Sequence, residues 1–166
     1  KDATGQGDNY AVIGNSDVTR LYVAEDGAGV LYANGTIQSS DRRIKKNITD
    51  LSYGLDYVMN LRPVSYLKKR PDEYPEELIA KFYPNGQMRK AMDSYEQAVQ
   101  VGFIAQEVKQ VNETLDLENN IVMMDEDGFH RMDYQKLIVP LVKAMQEQQE
   151  MIQRQQKMIE ELKERL

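Results

Sequence analysis

Ser39-Ser40-Asp41-Arg42-Arg43-Ile44-Lys45-Lys46-Asn47-Ile48 is the stretch from which the organisation of the chain is read. Before it the sequence is short of lysine and arginine and is punctuated by glycine and asparagine. After it the sequence becomes charged, takes up helical spacing and ends in a long polar helix. A change of character at one serine marks a junction, and a lysine a few residues behind that serine makes the junction a candidate for cutting.

Composition sets the limits around that junction. The 166 residues allow one domain, or one domain with an extension. A hydrophobic share of 41% is enough for a core, while 29% charged residues and a mean hydropathy of -0.64 give a very polar surface. The net charge of -6 argues against a nucleic-acid partner, which calls for clustered excess Lys and Arg. The one basic run, from Arg42 to Lys46, is too short to reverse that. With no cysteine there is no disulfide and no thiolate metal site, and a single histidine, His130, gives no basis for a His metal site or a Ser-His triad. No apolar run approaches the ~18 residues of a membrane span. The first ten residues are polar, unlike a secretory signal, and the chain reads as a piece of a longer one. Neither cofactor nor metal is expected, nor a membrane or nucleic-acid partner.

Upstream, residues 1–40 alternate short apolar runs with turn signals. Tyr10-Ala11-Val12-Ile13 precedes Gly14-Asn15, Leu21-Tyr22-Val23 precedes Asp26-Gly27, and Val30-Leu31-Tyr32 precedes Asn34-Gly35. Such runs read as brief strands with tight turns, since Asn-Gly and Asp-Gly readily adopt positive φ. About forty residues of short strands bury no core alone, so they are expected to pair with other chains in a β-structured stalk, a partly ordered linker being the alternative.

Downstream, Thr49 or Asp50 can cap a helix through Leu51, Leu55, Val58 and Met59, stopped by Pro63. Val64-Ser65-Tyr66-Leu67 reads as a strand. Residues 68–98, broken by three prolines and Asn85-Gly86, read as an insertion around a short helix, Glu76–Phe82. Val101-Gly102-Phe103-Ile104-Ala105 reads as a buried strand leading into a helix from Gln106. Ile121 to Met124 and Phe129 to Met132 flank Asp127-Gly128 as a hairpin, with His130 beside the turn, solvated or hydrogen-bonded rather than catalytic.

Asp133 can cap a final helix running to Leu166, with Pro140 either ending a short first turn or bending the helix. Ile138, Met145, Ile152, Ile159 and Leu166 fall at heptad position a, and Leu141, Gln148, Gln155 and Leu162 at d. A 3-4 spacing held over four heptads predicts a coiled coil, and the two glutamines in its seam would fix register or strand number at a cost in stability. The inner half, Leu137 to Met145, is expected to pack on its own domain and the outer half on its copies. Glu150 with Arg154 and Glu161 with Arg165 are candidate i,i+4 pairs.

Few groups could carry chemistry. No Walker loop, HExxH or CxxC is present, and Asp125 and Asp127 fit a solvated turn better than a glycosidase pair. What remains is Ser40 with Lys45. A serine hydroxyl needs a base, and a lysine can serve when burial or neighbouring cations, here Arg42, Arg43 and Lys46, favour its neutral form. The spacing alone is a weak signal.

The run Ser40-Asp41-Arg42-Arg43-Ile44-Lys45-Lys46-Asn47-Ile48 closely resembles the opening of the intramolecular chaperone domain of phage tail fibres and spikes, also classed as peptidase S74. Leu61-Arg62-Pro63-Val64-Ser65-Tyr66, Val101-Gly102-Phe103-Ile104-Ala105-Gln106-Glu107-Val108 and Met132-Asp133-Tyr134-Gln135-Lys136-Leu137 resemble it in the same order, covering residues 40–166 apart from 68–98. The resemblance implies an α+β chaperone domain at 41–166, with a trimeric coiled coil or helical bundle at 133–166, preceded by the end of an intertwined stalk at 1–40. It implies a homotrimer that folds the upstream stalk of the same chain and is released by single-turnover autoproteolysis at Ser40-Asp41, with Ser40 and Lys45 as the dyad. The location it implies is a virion tail fibre or spike precursor, assembled in the host cytoplasm. Attack by Ser40 on its own carbonyl would close a four-membered ring, attack on the Ser39 carbonyl would be an N-to-O shift, and attack by the serine of a neighbouring chain is a third route. The rival is a structural trimerisation foot that never cuts. A carbohydrate-active enzyme lacks any carboxylate constellation here.

Overall fold

The computed structural model describes residues 8, 11–18, 20–21, 23–24, 29, 31–33, 35, 37–88 and 98–165. The chain divides into two compact units, one of Lys1–Ser40 with Lys69–Met92 and one of Asp41–Lys68 with Asp93–Leu166.

In the first unit, Gly14 takes φ +90°, and the Asn15 side-chain oxygen accepts from the Asp17 N–H at 3.0 Å, so the turn signal at Gly14-Asn15 is a real turn. None of its described residues before 41 lies in a strand. Tyr10, Tyr22, Asp26-Gly27, Val30 and Asn34 lie outside the described residues, so the expected strands and the Asn34-Gly35 turn are only partly covered and the Asp26-Gly27 turn is not covered. Pro71–Glu73 forms a 3-10 turn in which the Glu73 carboxylate accepts from the Arg70 N–H at 2.7 Å. A helix, Glu76–Phe82, follows at the bounds read from sequence and buries Phe82.

The second unit is α+β, with small antiparallel ribbons and a long C-terminal helix. A 3-10 turn at Arg42–Ile44 is followed by α1 (Leu55–Asn60), β1 (Val64–Tyr66), β2 (Gln100–Gly102), α3 (Ala105–Thr114), β3 (Val122–Met124), β4 (His130–Met132), a 3-10 turn at Tyr134–Leu137, and α4 (Ile138–Glu164), with α2 being the Glu76–Phe82 helix of the other unit. Val64 pairs with Gly102 and Tyr66 with Gln100 in one ribbon; Val122 pairs with Met132 and Met124 with His130 in the other. Tyr57, Val108, Ile121 and Leu137, from four different segments, form the core, with Tyr53, Leu61, Phe103, Val111, Val122 and Met132 packed around it. The Tyr53 ring meets Tyr57 edge to face at 5.1 Å.

Two expectations are corrected. The first helix starts at Leu55 rather than after Thr49 or Asp50, because Gly54 allows close approach to α4. A Cβ at Gly54 would come within 2.8 Å of the Ala144 backbone nitrogen and 2.7 Å of Lys143 Cγ. The run from Val101 is not a buried strand. In a two-stranded ribbon one face stays open, and Val101 is 81% exposed. As expected, Asp133 caps the final helical run: it accepts from the Gln135 N–H at 3.1 Å at the head of a 3-10 turn that leads directly into α4 at Ile138. Pro140 thereby lies in the first turn of α4, where a missing N–H costs no ladder bond, and it is buried.

Candidate functional site

The junction is built from one short turn. Asp41, in extended conformation, caps the 3-10 turn Arg42–Ile44. Its carboxylate accepts from the Arg43 backbone N–H at 2.8 Å and from the Arg43 side chain at Nε (2.9 Å) and Nη2 (2.8 Å). The guanidinium fork, with the backbone bond second, holds the Asp41 carboxyl below its usual range and raises Arg43 in turn. Ile44 N–H donates to the Asp41 carbonyl at 3.2 Å, and Lys45 closes the turn with its N–H on the Arg42 carbonyl at 3.1 Å. Asn47 then takes φ +52°, and every residue from Gln38 to Asp50 is exposed. The chain passes from one compact unit to the other at three places, 40/41, 68/69 and 92/93, and the first of these is the Ser40–Asp41 bond, with Lys45 on the Asp41 side.

Behind that turn, the other three quoted stretches are tied to one another. Arg62, just before β1, forks onto the Glu107 carboxylate of α3, with Nε to Oε2 at 3.0 Å and Nη2 to Oε1. The Tyr134 hydroxyl accepts from the Phe103 N–H at 3.0 Å, and the two rings lie 6.1 Å apart. Gly102 leaves room for that hydroxyl, since a Cβ there would come within 2.5 Å of it. A groove of about 270 Å³ lined by Leu61, Arg62, Ile104, Glu107, Val111 and Leu115 adjoins the fork. Its two ionisable groups, Arg62 and Glu107, are paired with each other.

Helix α4 carries two stripes. Leu137 and, within the helix, Pro140 and Ala144 are buried, and Lys143 and Glu147 are half-buried on the side facing α1. One residue on, about 100° around the helix, Ile138, Leu141, Met145, Gln148, Ile152, Gln155, Ile159 and Leu162 are all exposed. Leu166 lies outside the described residues. The inner half does pack on its own domain, but through the neighbouring stripe: Ile138 is 59% and Met145 69% exposed. The heptad seam is therefore open from Ile138 to Leu162. From Gln148 to Glu164 every residue is exposed, an arm of about 25 Å. Glu150 meets Arg154 at 3.3 Å, while Glu161 pairs with Lys157 at 4.0 Å.

His130 is half-buried at the start of β4, and its Nδ1 has no hydrogen-bond partner among the described residues. Asp125 is paired with Arg131 at 3.1 Å, which accounts for it structurally. Sequence reading passed over Asp41 as a cap, Gly54, Glu147, and the reciprocal amide pair of Asn112 and Asn119 (3.1 and 3.2 Å) that closes the loop after α3. Only the first had a visible signal, an Asp directly before a charged turn.

Residues 40–117 match the family described as peptidase S74, chaperone of endosialidase. The resemblance read from the sequence is thereby shown over just under half of the chain, and it supports a chaperone role for that segment. The match starts at Ser40, runs through residues 68–98, where the resemblance had lapsed, and ends before the β3–β4 hairpin and α4. No curated protein matches the chain.

Proposed function

We propose that this chain is an intramolecular chaperone with the end of the stalk it folds. Three copies associate along the α4 seam, the upstream β-structured segment of a phage tail fibre or spike folds on that platform, and the chaperone is released by a cut at Ser40–Asp41. The observation that carries this reading is the family match beginning at Ser40. The passage from one compact unit to the other at the same bond, one of three such places in the chain, and the open seam of α4 support it. A polar helical arm with nothing to pack against is marginal in water, and partners along its Ile and Leu positions would remove that cost.

In this reading the Ser40 Oγ gives its proton to the Lys45 amine and attacks a peptide carbonyl. The tetrahedral intermediate expels the following residue's nitrogen, which takes up the proton held by the lysine, and water hydrolyses the resulting ester. Exposed as they are in a single chain, Ser40 and Lys45 would lose water only in the assembly, which ties cutting to correct trimer formation. Loss of the assembler then leaves the stalk held by its unfolding barrier.

Ser40→Ala and Lys45→Ala test this directly: each should run as one band on a denaturing gel where the unaltered chain gives two. A released fragment beginning with Asp41 places the cut at Ser40–Asp41, and one beginning with Ser40 places it one bond earlier, by the N-to-O shift. Equal processing in both variants sinks the dyad, and an assembled trimer that stays whole favours the structural foot.

A further inference from the structure

The residue on the far side of the proposed cut has a side chain with three bonds to make. One Asp41 carboxylate holds the Arg43 N–H and both arms of its guanidinium, while the Asp41 carbonyl receives the Ile44 N–H. The turn so made contains Arg42 to Ile44 and ends on Lys45, whose own N–H closes it. We infer that Asp41 is a positioning residue for the cut, its carboxylate fixing the turn that sets Lys45 in register with the bond to be broken. This rests on the autoprocessing reading of Ser40 and Lys45.

The physical case is one of order in an exposed segment. None of the residues of the turn is buried, so burial does not hold its shape. A lone 3-10 turn is not self-sustaining, and its residues rise ~2.0 Å each against ~3.3 Å in an extended chain. Without a cap, the path from Asp41 to Lys45 would vary by several Å, and a base misplaced by ~1 Å can cost a rate factor of ~100. The carboxylate answers this locally, as cap acceptor through Oδ1 and as anchor of Arg43 through both oxygens. An exposed Asp–Arg pair would contribute little as an ion pair alone, and its value here is geometric. Asp41 also supplies the leaving amine, so the fragment that departs carries the brace with it.

The test measures the rate of cleavage of the full chain, with trimer fraction followed in parallel by sedimentation. Asp41→Ala should cut about tenfold more slowly at equal trimer fraction. Asp41→Asn, which keeps an acceptor for the Arg43 N–H, should recover much of that rate, and Arg43→Lys, which keeps the charge but not the fork, should fall between. A role in folding alone would change trimer fraction and leave the rate within the trimer untouched. Asp41→Ala cutting at the unaltered rate, while Ser40→Ala stays whole, overturns the inference and leaves the dyad standing. If Asp41→Ala fails to assemble, Arg43→Lys cutting at the unaltered rate overturns it instead. An unaltered trimer that never cuts removes the dyad, and the inference with it.

Discussion

The backbone N–H of Leu55 donates to the Glu147 carboxylate at 2.7 Å, across 92 residues of sequence. Helix α1 spans only Leu55–Asn60, and its cap position is Gly54, which has no side chain to offer. The missing acceptor comes from α4, and Lys143 stands 3.7 Å from the same carboxylate. The long helix thus completes the short one, and the core residue Tyr57 is held between its ends. Replacing Glu147 with alanine leaves the Leu55 N–H without this partner in a half-buried site. The expected loss is about 1–2 kcal/mol, seen as a lower urea midpoint with unchanged slope. Glutamine at the same position should recover most of it, and an alanine variant as stable as the parent would show that water caps α1 equally well.

Tyr57 makes a second prediction. It is fully buried, its hydroxyl has no hydrogen-bond partner among the described residues, and burial, helped by Tyr53, pushes its pKa up to about 12. A folded chain that keeps a phenol proton the unfolded chain gives up at about 10 loses stability as pH climbs from 10 towards 12, and keeps it in full below 10. Tyr57→Phe should therefore be more stable by about 1 kcal/mol at neutral pH, through loss of an unsatisfied buried hydroxyl. It should also unfold at a higher alkaline pH. Calorimetry across that range checks both signs, and a less stable Phe variant would mean that the hydroxyl has a partner after all.

The Arg62–Glu107 fork predicts behaviour at the acid end. Its hydrogen bonds, and then its charge, hold the Glu107 carboxyl below the ordinary range of a glutamate. A carboxylate lowered on folding adds stability that is complete above its unfolded value and is lost as pH falls through the folded one. Glu107→Gln should therefore flatten the pH dependence of unfolding below about 4.5 and leave its course above pH 6 parallel to the parent. Both groups are exposed, so the change will be modest and should shrink with added salt. An acid limb of unchanged slope would assign that region's pH dependence to other carboxylates.

What could be read in the sequence was what local rules govern. The Glu76–Phe82 helix, the β3–β4 hairpin and the heptad spacing of α4 follow from period and turn chemistry, and the structure contains all three. What could not be read depends on distant chain. The start of α1 is set by Gly54 and by a carboxylate 92 residues on, and neither Thr49 nor Asp50 competes with that. Val101 has the composition of a buried strand residue, but its burial depended on a sheet of more than two strands. In α4, spacing found the exposed seam and could not show that the stripe beside it, Leu137, Pro140 and Ala144, is the one that docks. At the junction, the serine and lysine caught attention by chemical type, while the contacts that shape the turn belong to Asp41 and Arg43.

The open seam of α4 gives the last prediction, which rests on the trimer proposed above. Ile152 and Ile159 are exposed in the single chain and touch none of its core, so changing both to asparagine should leave the folding of the inner domain intact. In the assembly each buried isoleucine would contribute about 1.5–3 kcal/mol, and losing both layers from three helices should leave monomers in sedimentation. Gln148 and Gln155 act in the opposite direction. At d positions of the proposed assembly they would cost stability, and a polar layer there would penalise helices out of register or in the wrong number. Changing both to leucine should raise the temperature at which the assembly dissociates and broaden the distribution of species towards mixed stoichiometries. A leucine variant that is tighter and still a single species would show that the glutamines do not set the number of strands. An asparagine variant that still assembles would place the contact between copies elsewhere than along Ile138 to Leu162.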